Sequence, residues 1–532
     1  DPQRMNIIYS NGEERDIYPL APVTGMYEGS GIFMRSSSTN VTIENNIIGS
    51  DETLVPGLGN EWAGIRTQFN SFNNFIGRNT DGRRNTILHN PTGVLVIGSG
   101  GQRISGNIFL CNDTAAISML QNSNSNKPAP MITAALTTGI SGSAQNGSTV
   151  EVYLSVADSC PAAVCQGSVY LGVAEVAGGI WHLPAPFANG TTLSGGETVT
   201  ALAIDLSPIS SNSSPFSSCR TVIDPNVCAN SQGDIMVTHS ADGGIGSLRY
   251  AIGCANAVPG PNTILFSIPE NQLTPIFVSE TTGDPLPTLT DGATTIDGTS
   301  QTGGAPVLDG SLTNWDIPYN ALFIQGDSCA VYGLEIRNFP DDAIDITNAG
   351  SVIIGRPGGG NVIHGNGSEQ DEFDGLPGSG PWEGSGIVLK GTTHSCLIQA
   401  NTLGLTPSGL PSPNEFAGIR IRQSAAGHII GEANPEAQNR IAGQPFGISI
   451  EGTAQNIDIQ PNSFECNTVE GVLLMEGANG DALPPTIDSA RIFSFSGTIA
   501  TGGERIDLYV QPDHCVQNVC QGQLYIGSGV IS

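Results

Sequence analysis

Two carboxylate clusters are the first places in this 532-residue chain where chemistry could occur. Asp341, Asp342 and Asp345 fall in PDDAIDI, and Asp371, Glu372 and Asp374 fall in SEQDEFDG. Paired carboxylates can divide the work of a general acid and a general base, or hold a Ca²⁺ ion. Neither cluster lies near a compelling basic partner, so each also reads as turn or solvated-loop acidity, with weak Ca²⁺ binding as the metal alternative. Arg66 and Arg420 stand beside Glu61 and Glu415 in NEWAGIR and NEFAGIR, which suits a surface or turn ion pair better than a ligand contact. The seven histidines show no matched pair where the chain repeats. No HExxH, phosphate-binding loop or nucleophile elbow occurs. Sites and cofactors are therefore expected to be few: no catalytic residue, and no cofactor other than Ca²⁺.

Eleven cysteines point to an oxidising compartment. Cys160 and Cys165 sit as C-x4-C, Cys515 and Cys520 repeat that spacing, and Cys219 and Cys228 share a Ser/Pro/Asn-rich loop. Three local disulfides, Cys160–Cys165, Cys219–Cys228 and Cys515–Cys520, are expected. Cys111, Cys254, Cys329, Cys396 and Cys466 lie in strand-like or helix-like segments and read as small buried hydrophobes. The net charge of −30 disfavours a phosphate backbone or an anionic membrane as partner. Only Lys127 and Lys390 of the 19 basic residues are lysines. Charged residues make up 13% of the chain, about half the usual ~25%, which argues against a long helical array. No apolar run is long enough for a membrane helix.

The elements that position these residues repeat. Cys111, Cys160 and Cys165 reappear as Cys466, Cys515 and Cys520, each displaced by 355 residues, and NIIYSNG returns as NVIHGNG at the same offset. One unit plus half of another implies a window cut from a longer tandem array. Inside the unit, Gly-Ile/Val motifs start at Gly31, Gly64 and Gly93, and again at Gly386, Gly418, Gly447 and Gly471. Alternating strands at such intervals fit coils of a parallel β-helix, with Ile32, Ile65 and Val94 as one interior ladder. Asn46, Asn107, Asn401 and Asn462 fall near turns, where stacked carboxamides can bond from coil to coil.

Two stretches break the pattern. Residues 125–219 carry about seven short strands and read as an immunoglobulin-like sandwich. Residues 246–258, GSLRYAIGCANAV, have helical spacing with Ser247 as N-cap, and a helix there would close the end of the solenoid. The organisation expected is then 1–124, the C-terminal part of a β-helix; 125–219, the sandwich; 220–235, a linker; 236–483, a complete β-helix with its capping helix; and 484–532, the start of a second sandwich.

The stretch MVTHSADGGIGSLRYAIGCANAVPGPNTILFSIP (236–269) resembles the CSLREA-type N-terminal module of secreted bacterial right-handed β-helix proteins. STVEVYLSVADSC through SSC resembles the sandwich that accompanies such helices, and tandem forms resemble giant surface adhesins of gliding Bacteroidota. The resemblance implies an all-β fold of right-handed β-helix segments alternating with Ig-like sandwiches. It also implies a structural or adhesive segment of a long extracellular cell-surface filament. Its partners would be neighbouring repeats, surface polysaccharide, or export and motility machinery. About ten coils at ~4.8 Å plus a sandwich give roughly 90 Å per unit. A polysaccharide-binding or -cleaving enzyme and a sheath or surface-layer subunit are the rival readings.

Overall fold

The computed structural model describes residues 5–11, 29–68, 70–80, 82–156, 165–205, 211–229, 233–258, 260–278, 285–313, 319–367, 384–475, 477–483, 485–491, 494–498, 505–510 and 522–530. Two compact units emerge, Asp1–Pro225 and Asn226–Ser532.

The first unit opens with a parallel β-helix in which three sheets run side by side. Ser30–Met34, Ala63–Thr67, Thr92–Ile97 and Ala115–Leu120 form one wall, joined in register. Ile32 pairs with Ile65, Ile65 with Val94 and Val94 with Ile117, so one aliphatic row climbs the interior. β-Branched side chains suit this stacking because each packs on its own kind in the next coil. The glycine before Ile32, Ile65 and Val94 is required by contact. A Cβ at Gly64 would stand 2.8 Å from the carbonyl oxygen of Gly93 in the next coil. The expected Asn ladder is present: Asn46 donates to Asn85 Oδ1 at 2.9 Å and Asn85 to Asn107 Oδ1 at 2.8 Å.

A sandwich follows. Met131–Leu136, Gly139–Ser143 and Ile180–Pro184 form one antiparallel sheet, and Ser148–Ser155, Val169–Glu175, Thr198–Asp205 and Arg220–Thr221 form the other. Trp181, Val150, Val152 and Ala201 fill the core between them. The last strand corrects the expected linker at its start. Arg220–Thr221 pairs with the sandwich strand Thr198–Asp205, and Val222 is fully buried, because this edge would otherwise expose its backbone groups.

The sandwich closes the β-helix beneath it. Phe109 N–H donates to Gly167 O at 2.9 Å, and the Phe109 ring meets Phe216 edge-on at 5.6 Å. A second Asn ladder, Asn60–Asn90–Asn112, runs on to Gln166 Oε1 of the sandwich at 2.9 Å. Backbone groups of the last coil that would face water are thus bonded to the next domain.

The second unit contains eight-, seven- and six-stranded parallel sheets, one strand per coil in each. Ile344, Ile387, Ile419 and Ile448 repeat the interior row, all fully buried. Asn361, Asn401, Asn439 and Asn462 repeat the turn ladder with donations of 2.9, 3.0 and 2.8 Å. The helix Leu248–Ala257 forms where its spacing predicts. Ser247 Oγ accepts Tyr250 N–H at 3.1 Å, and Leu248, Ile252 and Ala255 are buried. The first strand begins at Asp234, inside the segment read as linker, and pairs with Asn262–Phe266. The joint also recurs: Phe464 N–H donates to Gly522 O at 2.9 Å, as Phe109 does to Gly167.

Candidate functional site

Of the two carboxylate clusters, Asp371, Glu372 and Asp374 lie outside the described residues. Asp341, Asp342 and Asp345 are placed by the strand Ile344–Thr347, where Ile344 and Ile346 point into the core and Asp345 points outward. The expectation of no basic partner is corrected: the adjoining strand Ile387–Lys390 supplies one. Lys390 Nζ lies 2.7 Å from Asp345 Oδ2. Asn320 Nδ2 and Thr347 Oγ1 also donate to Asp345, at 3.2 and 2.7 Å. Lys390 is one coil away from Thr347, its register partner. Aligning DAIDIT with SGIVLK by coil period would have revealed it.

Asp342 has a turn role. Its Oδ1 accepts the N–H of Ser385 at 2.8 Å, and its own N–H donates to Asn320 Oδ1 at 3.0 Å. It thus bonds from coil to coil as the asparagine ladders do. Burial raises the Asp341 carboxyl to about 6, with the nearby Lys390 opposing it. Burial, together with Asp341 and Asp345, pushes Asp342 well above the ordinary range. A proton-bearing carboxyl beside a Lys-paired one could supply an acid to an outward-facing ligand. Among the described residues no group of three or more His, Cys, Asp or Glu is arranged to hold a metal ion.

The recurring arginines are stacking residues. Arg66 lies over Trp62 at 3.8 Å and over Phe33 at 4.3 Å, and its Nε donates to Gln68 Oε1 at 3.0 Å. Arg420 lies over Phe416 at 4.3 Å and meets Glu451 in a two-point ion pair at 2.8 and 3.1 Å. The expected acidic neighbour Glu61 is occupied by Gly29 N–H at 3.0 Å. Glutamate and arginine five residues apart on a strand point to opposite faces, whereas Trp62 and Arg66 share one.

Two of the three expected local disulfides, Cys160–Cys165 and Cys219–Cys228, are corrected. Cys165 is bonded to Cys219, and Cys228 to Cys254. Cys219 cannot take the short route to Cys228 because its segment runs back along Thr198–Asp205, where Ser217 O accepts Thr200 Oγ1 at 2.8 Å. That path leaves Cys219 beside Cys165, with Cα atoms 5.4 Å apart. Cys254 is therefore no mere core hydrophobe: it fastens the capping helix. Cys111 and Cys466 are disulfide-bonded as well. Cys329 and Cys396 are free and buried, as read. Cys160, Cys515 and Cys520 lie outside the described residues. Disulfides of this number fit an oxidising compartment. Among the described residues, no helix is long and apolar enough to cross a membrane.

Two histidines set aside in the sequence are built into the coil stack. His428 occupies a turn-ladder position, its Nδ1 accepting Cys396 N–H at 3.1 Å. His364 stands between Ser412 and Glu335. Sequence reasoning missed both because it looked for histidines shared between copies, whereas these belong to one copy.

No family model matches the chain, and no curated protein matches it. Among solved structures, the catalytic domain of a GH87 alpha-1,3-glucanase variant in complex with tetrasaccharides is similar over 69% of this chain and 73% of that one. The identity is 12% and the TM-score 0.22, a likeness too slight to bear on substrate or site.

Proposed function

We propose that the chain is a structural and adhesive repeat segment of a very long extracellular cell-surface filament, serving surface attachment or gliding movement. The observation that carries this reading is the repeated joint. Phe109–Gly167 and Phe464–Gly522 make the same backbone hydrogen bond 355 residues apart, so the end of each β-helix is bonded in the same way to the segment that follows it. A stack of in-register coils closed by hydrogen bonds and aromatic contacts resists bending, which suits a spacer. The net charge of −30 keeps such segments from associating sideways. Neighbouring repeats are its first partners, with surface polysaccharide and the export and motility machinery as outer ones. Electron microscopy of the secreted full-length product should show a filament with a regular axial repeat, and cells lacking it should lose attachment or surface-dependent movement. Cells that keep both sink the reading.

The carboxylate cluster favours a second reading, polysaccharide cleavage, because Asp341 carries a raised carboxyl close to the Asp345–Lys390 pair. Cleavage of polyuronates, glucans or glycosaminoglycans that disappears in Asp341→Asn and Asp345→Ala would establish it. Under the filament reading all three polymers stay intact.

A further inference from the structure

We propose that the second β-helix carries a serine-dependent ester-hydrolysing site, separate from the carboxylate cluster, with Ser412 as nucleophile, His364 as its base and Glu335 orienting the base. The inference goes beyond the filament reading and does not depend on it.

The geometry is a linear relay across three coils. Ser412 Oγ lies 3.0 Å from His364 Nδ1, and His364 Nε2 lies 3.3 Å from Glu335 Oε1. A single tautomer serves both contacts: the Nε2 proton goes to the carboxylate, which leaves Nδ1 free to take the serine proton. The acid is itself held. Arg337 Nη1 donates to Glu335 Oε1 at 2.8 Å, and Arg337 Nε donates to Asp309 Oδ2 at 2.8 Å. Register fixes this chain of partners, since Asp309, Arg337 and His364 are opposite one another on three successive strands of one sheet. The hydrogen bond from His364 is the main influence that keeps the Glu335 carboxyl below its ordinary range.

Access differs along the relay in the way hydrolysis requires. His364 and Glu335 are buried, at 5% and 8% exposure, while Ser412 is only half-buried, on a turn. That turn is anchored by Ser412 N–H to Gly404 O at 2.9 Å and by Gly365 N–H to Ser412 O at 3.1 Å. Gly365 has φ +67°, and a Cβ there would stand 3.1 Å from Ser412 Oγ and 3.4 Å from Asn338 Oδ1. Glycine leaves that position, flanked by the Ser412 hydroxyl and the Asn338 carboxamide, without a side chain.

A hydroxyl with an oriented base suits acyl transfer. Ser412 Oγ attacks the carbonyl carbon of an ester while its proton passes to His364 Nδ1. The imidazolium returns that proton to the departing alkoxide as the acyl C–O bond breaks, leaving an acyl-serine and an alcohol. Water, deprotonated by His364, then cleaves the acyl-serine to the acid and restores the serine hydroxyl. Small acyl groups are the class proposed, because even a Cβ at Gly365 would be crowded. Pro413 follows the nucleophile and has no N–H for the oxyanion, so turnover should be slow and covalent labelling the sharper readout. In the other copy Tyr9 replaces His364, so only this β-helix carries the relay.

The test uses the full chain with a fluorophosphonate probe and with p-nitrophenyl acetate. Peptide mass mapping should place the adduct on Ser412. His364→Gln should slow both labelling and acetate release by roughly a hundredfold or more. Glu335→Gln should move the pH profile of labelling. Ser412→Cys keeps a nucleophile in place, and its thiol should alkylate faster with His364 present than with Gln there. Absence of an adduct on Ser412, or labelling that is indifferent to His364, overturns the proposal.

Discussion

The two β-helices agree where the chain faces inward and part where it turns. Ile65 and Ile419 occupy matching interior rows, both fully buried, and Asn85 and Asn439 hold matching rungs of the turn ladder. One turn position differs. In the first unit Asn74 Oδ1 accepts Val41 N–H at 2.9 Å, while its Nδ2 donates to Ser38 O and Gln102 Oε1, each at 3.2 Å. In the second unit His428 Nδ1 accepts Cys396 N–H, but Nε2 is buried with no hydrogen-bond partner. A carboxamide accepts and donates along the stack at once, and an imidazole there does only half of this. The difference teaches that coil stacking enforces repetition of shape inside the barrel. At the turns it tolerates substitutions that carry chemistry, and it does so at strand ends too, where His364 of the strand Val362–His364 stands in place of Tyr9.

The largest effect should come from the part the two regions share. Ile65→Ala and Ile419→Ala should each cost about 2–5 kcal/mol, because a hole in a stacked row cannot collapse without breaking register. Ile429→Ala, at a position 40% exposed on an outer face, should stay within about 0.5 kcal/mol. Denaturant unfolding of the three variants measures this. An interior cost no larger than the outer one would mean that the rows do not hold the coils.

The next effect separates the regions. Burial, with His394 nearby, pulls the His428 imidazole down to about 4, against ~6.5 for an unfolded histidine. Between those values the unfolded chain binds a proton that the folded one refuses. Stability contributed by neutral His428 is therefore complete above about pH 6.5 and is lost as pH falls toward 4, by on the order of 2–3 kcal/mol. His428→Asn, which installs the first unit's residue, should remove that part of the pH slope. An unchanged slope in the variant would assign the acid sensitivity elsewhere.

How much of this was legible follows from the same contrast. Stacking forces like residues into rows, so Ile32, Ile65 and Val94 and the rungs Asn46, Asn107, Asn401 and Asn462 could be read directly from period. The capping helix was legible from Ser247 and the spacing of Leu248, Ile252 and Ala255. Contacts that join distant segments outside the rows were not. Cys165–Cys219 spans 54 residues, and Lys390 reaches Asp345 only because one coil lies on the next. Ser412, His364 and Glu335 come from three separated segments whose turn lengths differ, so no linear spacing marks them.

The smallest effect concerns the outward arginines. Arg66 is stacked on an indole and bound to a neutral amide, Gln68, whereas Arg420 is stacked on a phenyl ring and bound to a carboxylate, Glu451. An indole face attracts a guanidinium more strongly than a phenyl face, so a double-mutant cycle between Arg66 and Trp62 should give about 0.5–2 kcal/mol, and the Arg420–Phe416 cycle less. Salt distinguishes them further. Exposed ion pairs weaken as ions screen them, but Glu451 and Arg420 are largely buried, at 12% and 4% side-chain exposure, so their coupling should fall only modestly at high salt. The Arg66–Trp62 coupling depends on a ring quadrupole at 3.8 Å and should fall less still. Equal couplings in the two units would show that the ring type is immaterial. The recurring arginine would then serve both copies through its aliphatic stem, which packs on the ring edge whatever the ring is.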